Sequence, residues 1–205
     1  MDMLKNFFKK YEFRRKAVHF VLGILFVLFI NLDHYILKEQ LELILVIVLF
    51  LAICLSIYTQ YKRPRLILKF LYWFDKPKDL QKFPGKGAVY YLIGTLISIA
   101  LFNRYIASAS ILILAVGDPM AHIIGRYYGK RKIIINKKKL LEGTLAGIFF
   151  GTIAASFFVP WYIAFFGAAF GMMAEAIELE LLRLDDNFFI PFVSGLIMTL
   201  ITSIM

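Results

Sequence analysis

The stretch VGDPMAHIIGRYYGKRKIIINKKKLLEGTLAG, Val116–Gly147, decides the architecture of this chain because it interrupts an otherwise apolar sequence. Hydrophobic residues make up 60% of the 205 residues, and the mean hydropathy is +0.74, whereas soluble domains are nearer half apolar. This stretch nevertheless carries an Asp, a Glu, several glycines and a dense run of Lys and Arg. We therefore expect an integral membrane protein with a polar site around this segment.

Uncharged apolar runs on both sides of this stretch predict an all-α integral membrane protein. About seven transmembrane helices are expected, at roughly 17–33, 41–60, 87–102, 105–128, 142–159, 161–182 and 188–205. The fourth is predicted to be broken at Gly117-Asp118-Pro119. The aromatic segment 61–74 is too short to span with its charges and predicts an interfacial helix.

One membrane-embedded domain, residues 1–205, is expected because no linker-like tract divides the chain. The basic N-terminal segment precedes an apolar run, as in a signal peptide, but no small-residue cleavage motif follows. The run is therefore interpreted as a retained first span. Cys54 is the single cysteine, which excludes an intrachain disulfide.

The basic residues predict the orientation of the chain. With the seven spans above, 22 of the 24 Lys and Arg residues fall on one face, and Lys38 and Arg104 alone fall on the other. The positive-inside rule then puts the crowded face in the cytoplasm, so the N-terminus is inside and the C-terminus outside. The net charge of +10 follows from this topology, from attraction to anionic headgroups, or from a polyanionic substrate. Nucleic-acid binding is not expected as a function, because the charges flank spans and form no separate basic domain.

Acidic residues within the predicted spans are better evidence for a site, because topology does not require them. Asp118 lies in the fourth span and Glu175 in the sixth, and ionisable groups at membrane depth are costly and usually functional. Because Pro follows it, Asp118 could equally be a helix N-cap. A carboxylate at an interrupted helix is also how a membrane protein builds an ion site.

Small residues share a helical face with these carboxylates. Counting at 3.6 residues per turn from Asp118, one face carries His122, Gly125 and Gly129. After the basic loop, Glu142 leads a second small face of Gly143, Gly147 and Gly151. Such faces usually serve helix packing. With a carboxylate at one end of each and lysines between, they also predict a cradle for a magnesium-bound polyphosphate.

Other polar residues are predicted at the same membrane face. Asp185, Asp186 and Asn187 precede the last span and would suit Mg²⁺, although a solvated helix end or an Asn cap explains them too. His19 lies at the mouth of the first span and Lys86 opens the third. The sequence contains no G-x-x-x-x-G-K-[ST] P-loop, no protein-kinase motif set and no His/Cys spacing for zinc.

The combined motifs resemble the CTP-binding signature of the dolichol kinase family, which includes phytol kinases, other polyprenol kinases and CTP-dependent diacylglycerol kinases. The resemblance is carried by Asp118-x-x-Ala121-x-x-x-Gly125-x-x-x-Gly129, the basic loop, Lys139-x-x-Glu142-Gly143-Thr144, the N-terminal Glu12…Arg15-Lys16…His19, "GKGAVYYLIG", and Glu175 followed by "DDNFFIP". It covers nearly the whole chain in order. It implies a polytopic lipid kinase that uses CTP as phosphoryl donor with Mg²⁺ or another divalent cation, and releases CDP.

The resemblance also implies roles for individual residues. The expected nucleotide-binding residues are Lys86, Ala121, Gly125, Arg126, Gly129, Lys130, Lys139, Glu142, Gly143 and Thr144. The expected metal ligands are Asp118, Glu142, Asp185, Asp186 and Asn187, and the catalytic candidates are Asp118, His19 and Glu175. Because the donor comes from the cytoplasm and the acceptor from the bilayer, the active site is expected at the cytoplasmic boundary.

The acceptor expected from the sequence is an isoprenoid alcohol of the polyprenol, dolichol, phytol or geranylgeraniol type, with diacylglycerol as the alternative. A CDP-diacylglycerol synthase-like cytidylyltransferase ranks lower, because its long C-terminal signature is absent and the tail after Asn187 is almost wholly apolar. A non-enzymatic transporter would need a midplane site reachable from both sides, whereas the charged candidates here crowd one interface.

Overall fold

The computed structural model describes residues 2–32, 40–75, 77–133, 136–137, 139–177 and 185–204, with side chains from residue 13 onward except at 77, 78 and 177. These residues form α1 (Asp2–Leu32), α2 (Leu41–Lys62), α3 (Arg65–Leu71), α4 (Pro77–Lys82), α5 (Lys86–Leu101), α6 (Arg104–Leu112), a π-helical segment (Ile113–Gly117), α7 (Asp118–Tyr128), α8 (Leu141–Ala155), α9 (Trp161–Ile177) and α10 (Asp186–Ile204). Within these ranges no strand is found beyond one isolated bridge, Lys132 to Leu140. The ends of three predicted spans, residues 33, 178–182 and 205, lie outside the described residues.

The expected all-helical membrane protein is confirmed. Four described helical stretches are long and apolar enough to cross a membrane: Phe13–Leu32, Leu41–Lys62, Arg104–Tyr128 and Asp186–Ile204. Three shorter apolar helices, Lys86–Leu101, Leu141–Ala155 and Trp161–Ala176, correspond to the other predicted spans. The count of seven crossings and the orientation stay predictions, as does the interfacial position of α3, a seven-residue helix inside the segment 61–74.

The fourth predicted span is the buried centre of the fold. Of its most apolar window, 67% is buried inside the protein, against 17% for Leu41–Lys62. Ala107, Ile111 and Ile113 have no exposed surface, whereas Phe50 and Leu51 of α2 are exposed. An apolar surface of this kind suits lipid as its solvent. The central helix therefore positions the residues that follow it.

The expected break at Gly117-Asp118-Pro119 is a π-helical segment within a continuous helix, not an interruption. Proline removes one backbone donor, and its ring would clash with the carbonyl four residues earlier, that of Ala115. The wider turn at Ile113–Gly117 accommodates the proline without ending the helix. Gly117, not Asp118, is the residue that precedes α7, and Asp118 has helical dihedral angles. The carboxylate of Asp118 therefore does not cap the helix and is free to pair with another side chain.

Helices α7 and α8 pack backbone to backbone through glycines. A Cβ added at Gly143 would lie 2.6 Å from the carbonyl oxygen of Ala121 and 2.9 Å from the Cα of Gly125. A Cβ at Gly147 would lie 2.9 Å from that of Ala121. The small faces inferred from the sequence therefore serve helix packing. Gly125 and Gly143 also line the cavity described next.

Candidate active site

Segments from across the chain converge on one cavity of about 420 Å³. This volume lies within the range of small-molecule sites, about 300–1,000 Å³. The lining residues are Arg15 and Lys16 of α1; Asp118, Ala121, His122, Gly125 and Arg126 of α7; Lys139 and Leu140 before α8; Gly143 and Thr144 of α8; Glu175 of α9; and Asp186 of α10. We call this the polar cavity.

Asp118 is held in the polar cavity by an ion pair with Lys16. The Nζ of Lys16 donates to the Oδ2 of Asp118, and both side chains are almost wholly buried. Two buried charges are costly unless they are paired in this way. Asp118 also interacts electrostatically with Lys139 and His19. The first helix therefore supplies the cation that pairs with the carboxylate within the central helix.

Lys139 forms the second ion pair, with Glu175. Its Nζ donates to the Oε1 of Glu175, which is buried, while about a quarter of the Lys139 side chain is exposed (28%). Burial alone would lower the pKa of Lys139, but the negative charges of Glu175 and Asp186 outweigh it, so the pKa lies above its ordinary value. The ammonium group is therefore charged at neutral pH.

A turn in the basic loop directs Lys139 into the polar cavity. The amide of Lys139 donates to the carbonyl oxygen of Asn136 (3.1 Å), and its own carbonyl accepts from the amide of Ile133 (3.1 Å). The amide of Leu141 donates to the carbonyl of Arg131 (2.8 Å). Glu142 completes this turn, since its two carboxylate oxygens accept from the amide of Arg131 at 3.1 and 3.2 Å.

The charges of the polar cavity suit a metal-bound polyphosphate. Four cationic side chains line it, Arg15, Lys16, Arg126 and Lys139, beside three carboxylates, Asp118, Glu175 and Asp186. Cations of this kind bind phosphate oxygens. Three carboxylates on different helices supply the oxygen ligands that Mg²⁺ prefers.

The metal-binding expectation can be tested against this donor set. In the part of the chain that the structure describes, no three His, Cys, Asp or Glu residues are grouped closely enough to hold a metal alone. Mg²⁺ commonly uses only one or two carboxylates and completes its shell with substrate phosphates and water. The residues present therefore fit a magnesium ion held jointly by a polyphosphate and by Asp118, Glu175 or Asp186.

Several residues expected from the sequence do not line the polar cavity. The side chain of Asn187 donates to the carbonyl oxygen of Gly87 (3.1 Å), and Asp185 accepts from the amide of Asn187 (3.3 Å). Glu142 is half-buried and holds the basic loop. Lys86 lies over the ring of Tyr90 at 5.3 Å. The other residues outside the cavity lining are Gly129, Lys130 and His19.

His19 lies in the wall behind the polar cavity. It is buried, its ring centroid is 5.0 Å from that of Tyr91, and its carbonyl accepts from the Tyr91 hydroxyl (2.9 Å). Its electrostatic interaction with Asp118 links it to the cavity. Of the three catalytic candidates, Asp118 and Glu175 line the cavity and His19 lies next to it.

The sequence did not single out Lys16 as a site residue, although it is the partner of Asp118. The two are separated by 102 positions in the chain. One feature of the sequence could have identified it: Lys16 directly precedes an uncharged membrane span. A lysine in that position must either extend to the membrane surface or be buried against a counter-charge. Arg15 and Lys16 both belong to the N-terminal motif named above, which assigns neither of them a role, and both line the polar cavity.

Comparison with known proteins identifies relatives of the whole chain and of its parts. An uncharacterised protein of Methanocaldococcus jannaschii is 33% identical over 195 residues, which cover 91% of this chain and 92% of that protein. CTP-dependent diacylglycerol kinase 1 of Schizosaccharomyces pombe is 30% identical over 141 residues, 60% of this chain and 64% of the kinase. Probable phytol kinase 2 of rice is 29% identical over 131 residues, 57% of this chain and 43% of that protein.

The chain thus spans less than two thirds of the length of the named kinases that it matches. No family model matches the sequence. No solved structure matches it either. The similarity to several CTP-dependent diacylglycerol kinases and phytol kinases, together with a helical membrane fold and a charged cavity, supports membership of the CTP-dependent lipid kinase family.

Proposed function

We propose that this protein transfers the γ-phosphate of CTP to the hydroxyl of a membrane isoprenoid alcohol of the polyprenol, dolichol, phytol or geranylgeraniol type, and releases CDP. The observation that carries the proposal is the polar cavity, in which four cations and three carboxylates from α1, α7, α9, α10 and the basic loop meet. Phosphoryl transfer depends mainly on positioning and charge neutralisation. The cavity provides groups for both.

Each charged group in the polar cavity then has a role in the reaction. Lys16, Lys139, Arg126 and Arg15 bind the triphosphate, and the backbone beside Gly125 and Gly143 allows close approach of the nucleotide. A magnesium ion held with Asp118, Glu175 or Asp186 would offset the charge of the phosphoryl oxygens.

The reaction itself requires one proton transfer. The hydroxyl oxygen of the lipid attacks the γ-phosphorus, the bond from that phosphorus to the β–γ bridging oxygen breaks, and CDP leaves. The hydroxyl proton passes to a base, for which Asp118, His19 and Glu175 are the candidates. A positioned base typically contributes about 10²–10⁴-fold in rate.

Diacylglycerol is a second candidate acceptor, because several of the relatives are CTP-dependent diacylglycerol kinases by name. Both acceptors present a primary hydroxyl at the membrane boundary, at the end of a single chain in the isoprenoid alcohol and on a glycerol esterified to two acyl chains in diacylglycerol, so the charges of the polar cavity suit either one. A cytidylyltransferase would use the same donor but attack the α-phosphorus and release pyrophosphate.

The test is a donor and acceptor panel with the purified full chain. With Mg²⁺ and CTP labelled at the γ-phosphate, we expect an isoprenoid alcohol to become labelled, CDP to form, and EDTA to abolish the reaction. Labelled ATP serves as the donor control. In a parallel reaction with CTP labelled at the α-phosphate, label in the lipid would instead establish a cytidylyltransferase. CTP binding without turnover on any lipid would establish a non-catalytic role.

A further inference from the structure

A second, smaller cavity of about 70 Å³ lies beside the polar cavity, between α1, the chain after α3 and the start of α5. Its apolar and aromatic walls are Val18, Leu22, Leu71, Phe74, Ala88 and Tyr91. Arg15, His19 and Asp75 form its polar edge. We call this cavity the α1–α5 slot.

The α1–α5 slot is joined to the polar cavity through Arg15, which lines both. The Nε of Arg15 is buried and has no hydrogen-bond partner in the described part of the chain. His19 lines the slot and interacts electrostatically with Asp118 of the polar cavity. One end of the apolar slot therefore borders the charged groups that would bind the phosphates.

The packing of the helices explains why a gap exists here. Helix α1 packs on α6, the π-helical segment and α7, whereas α5 packs on α2, α6 and α10. Tyr91 connects α5 to α1 by donating its hydroxyl to the carbonyl of His19. The chain beyond α3 is held by the amide of Gly85, which donates to Asp75 (2.6 Å). The slot therefore has walls that are fixed on both sides.

The outer side of the α1–α5 slot faces the apolar surroundings of the protein. Ala88 in its wall is exposed, and Phe20 and Val21 of the adjoining helix present apolar side chains outward. The guanidinium of Arg14 lies over the ring of Trp73 at 4.5 Å, where it connects α1 to the chain after α3. Arg with Trp is a typical pair for a membrane boundary.

We propose that the α1–α5 slot binds the hydrocarbon chain of a single-chain lipid alcohol, with its hydroxyl placed between Arg15 and His19. The proposal rests on the proposed function, since the slot ends where the γ-phosphate would lie. At about 70 Å³, the slot has room for only the first few carbons of one chain next to the hydroxyl, and the rest of that chain would lie in the bilayer. The glycerol of a two-chain lipid, with two ester groups beside the hydroxyl, is bulkier than this slot. Burial of methylene and methyl groups of the lipid against these apolar walls would stabilise the bound state.

Filling the slot tests the proposal. Val18→Phe and Ala88→Phe place a ring in the slot, and both positions tolerate bulk because they are not fully buried. With phytol in mixed micelles, we expect KM to rise about tenfold or more, because excluding even two methylene groups from an apolar site lowers affinity by that factor. Affinity for CTP, measured by equilibrium dialysis, should stay within about twofold.

Matched controls exist on the same two helices. Val21→Phe and Ala100→Phe make the same substitutions at exposed positions of α1 and α5 that do not line the slot. These controls should leave the KM for phytol within about twofold of the parent. Equal KM values for slot variants and controls, at equal melting temperatures, would overturn the proposal. A parent enzyme with higher kcat/KM for dioleoylglycerol than for phytol would overturn the single-chain assignment.

A photolabelling arm separates the slot from the proposed function. A phytol analogue with a diazirine in its chain should crosslink to residues 15–22 or 71–91 of the parent, and Ala88→Phe should abolish that crosslink. If this labelling pattern is found but no lipid is phosphorylated, the slot is supported as a lipid-binding site and the proposed kinase activity is refuted. Crosslinks that map elsewhere, in a parent that does phosphorylate phytol, would overturn the slot and leave the kinase activity intact.

Discussion

At the scale of single residues, the two carboxylates deepest in the polar cavity are each neutralised by a lysine. Asp118 pairs with Lys16, and Glu175 pairs with Lys139. We expect a triphosphate to compete for both lysines, because phosphate oxygens bind the same ammonium groups. The carboxylates would then be available to a metal ion that arrives with the nucleotide. Exchange of partners would couple metal binding to nucleotide binding.

Replacing Asp118 separates its structural role from its chemical role. Asp118→Asn should lower turnover by about 10²–10³-fold, as removal of a key transition-state charge contact does. It should also destabilise the fold by about 3–5 kcal/mol, because Lys16 stays buried without a counter-charge. Turnover with CTP and unfolding of the detergent-solubilised protein are the two measurements.

The double variant Asp118→Asn/Lys16→Met is the matched control, since it removes both charges at similar volume. We expect it to regain most of the lost stability while staying inactive. A double variant as unstable as Asp118→Asn alone would contradict the ion-pair account. Turnover of Asp118→Asn within a few-fold of the parent would contradict a catalytic role for this carboxylate.

Lys139 is expected to act on the donor, not on the acceptor. Lys139→Met should raise the KM for CTP by about tenfold or more, because a charged hydrogen bond to phosphate is lost, and leave the KM for the lipid unchanged. In the parent, the raised pKa keeps Lys139 protonated, so its contribution to CTP affinity should not fall between about pH 7 and pH 9. Equal changes in both KM values would contradict this assignment.

At the scale of helices, close contact between α7 and α8 gives the polar cavity its shape. Gly143→Ala should destabilise the protein by about 1–3 kcal/mol, the usual cost of overpacking, because the new Cβ would meet backbone atoms of Ala121 and Gly125. The free energy of unfolding in detergent is the measurement, with turnover as a second readout of cavity shape.

Gly151→Ala provides the control on the same face of α8. Its Cβ would lie 3.5 Å from side-chain atoms of Ala168 and Ile113, an ordinary contact distance. Alanine is also the better helix former by about 0.5–1 kcal/mol. We therefore expect Gly151→Ala to be neutral or stabilising. If both alanine variants lose the same stability, the close α7–α8 contact is not what requires glycine at position 143.

Most ends of the apolar helices were predictable from the sequence to within a few residues, because hydropathy is set by local composition. Helix α1 is the exception, since it begins at Asp2, well before the predicted start of the first span at residue 17, and hydropathy does not detect its charged N-terminal turns. The predicted second span, 41–60, and helix α2 (Leu41–Lys62) differ only at their C-terminal ends. The state of the backbone around Pro119 was not predictable in this way. A proline in an apolar helix suggests a break, whereas tertiary packing here retains the helix through a π-helical turn.

The site was predictable where its residues follow one another at helical spacing. Asp118, His122 and Gly125 line the polar cavity as their spacing indicates, whereas Gly129 on the same predicted face does not. Pairing between distant segments was not predictable, because no local pattern connects Lys16 to Asp118. A sequence motif also does not show which way a side chain points. The carboxylate of Glu142 accepts from the backbone amide of Arg131 in the basic loop and does not point into the cavity.

At the scale of the whole molecule, the asymmetry of charge is the strongest remaining prediction. The N-terminal segment, the region after α2 and the basic loop hold almost all basic residues, and Arg104 lies beyond the other end of α5. If the polar cavity takes CTP from the cytoplasm, the basic loop that carries Lys139 must face the cytoplasm as well. Orientation and function are therefore tied together.

Single-cysteine labelling tests this orientation. On a Cys54→Ala background, which removes the single native thiol, Lys10→Cys and Lys132→Cys should react with a membrane-impermeant maleimide only in inverted vesicles. Arg104→Cys should react only in right-side-out cells, because positive-inside topology leaves it on the outer face. Positions 10 and 132 labelled from opposite sides would refute the seven-span arrangement. Both labelled from outside would turn the polar cavity away from the cytoplasmic CTP pool, and the proposed kinase reaction would then lack its donor.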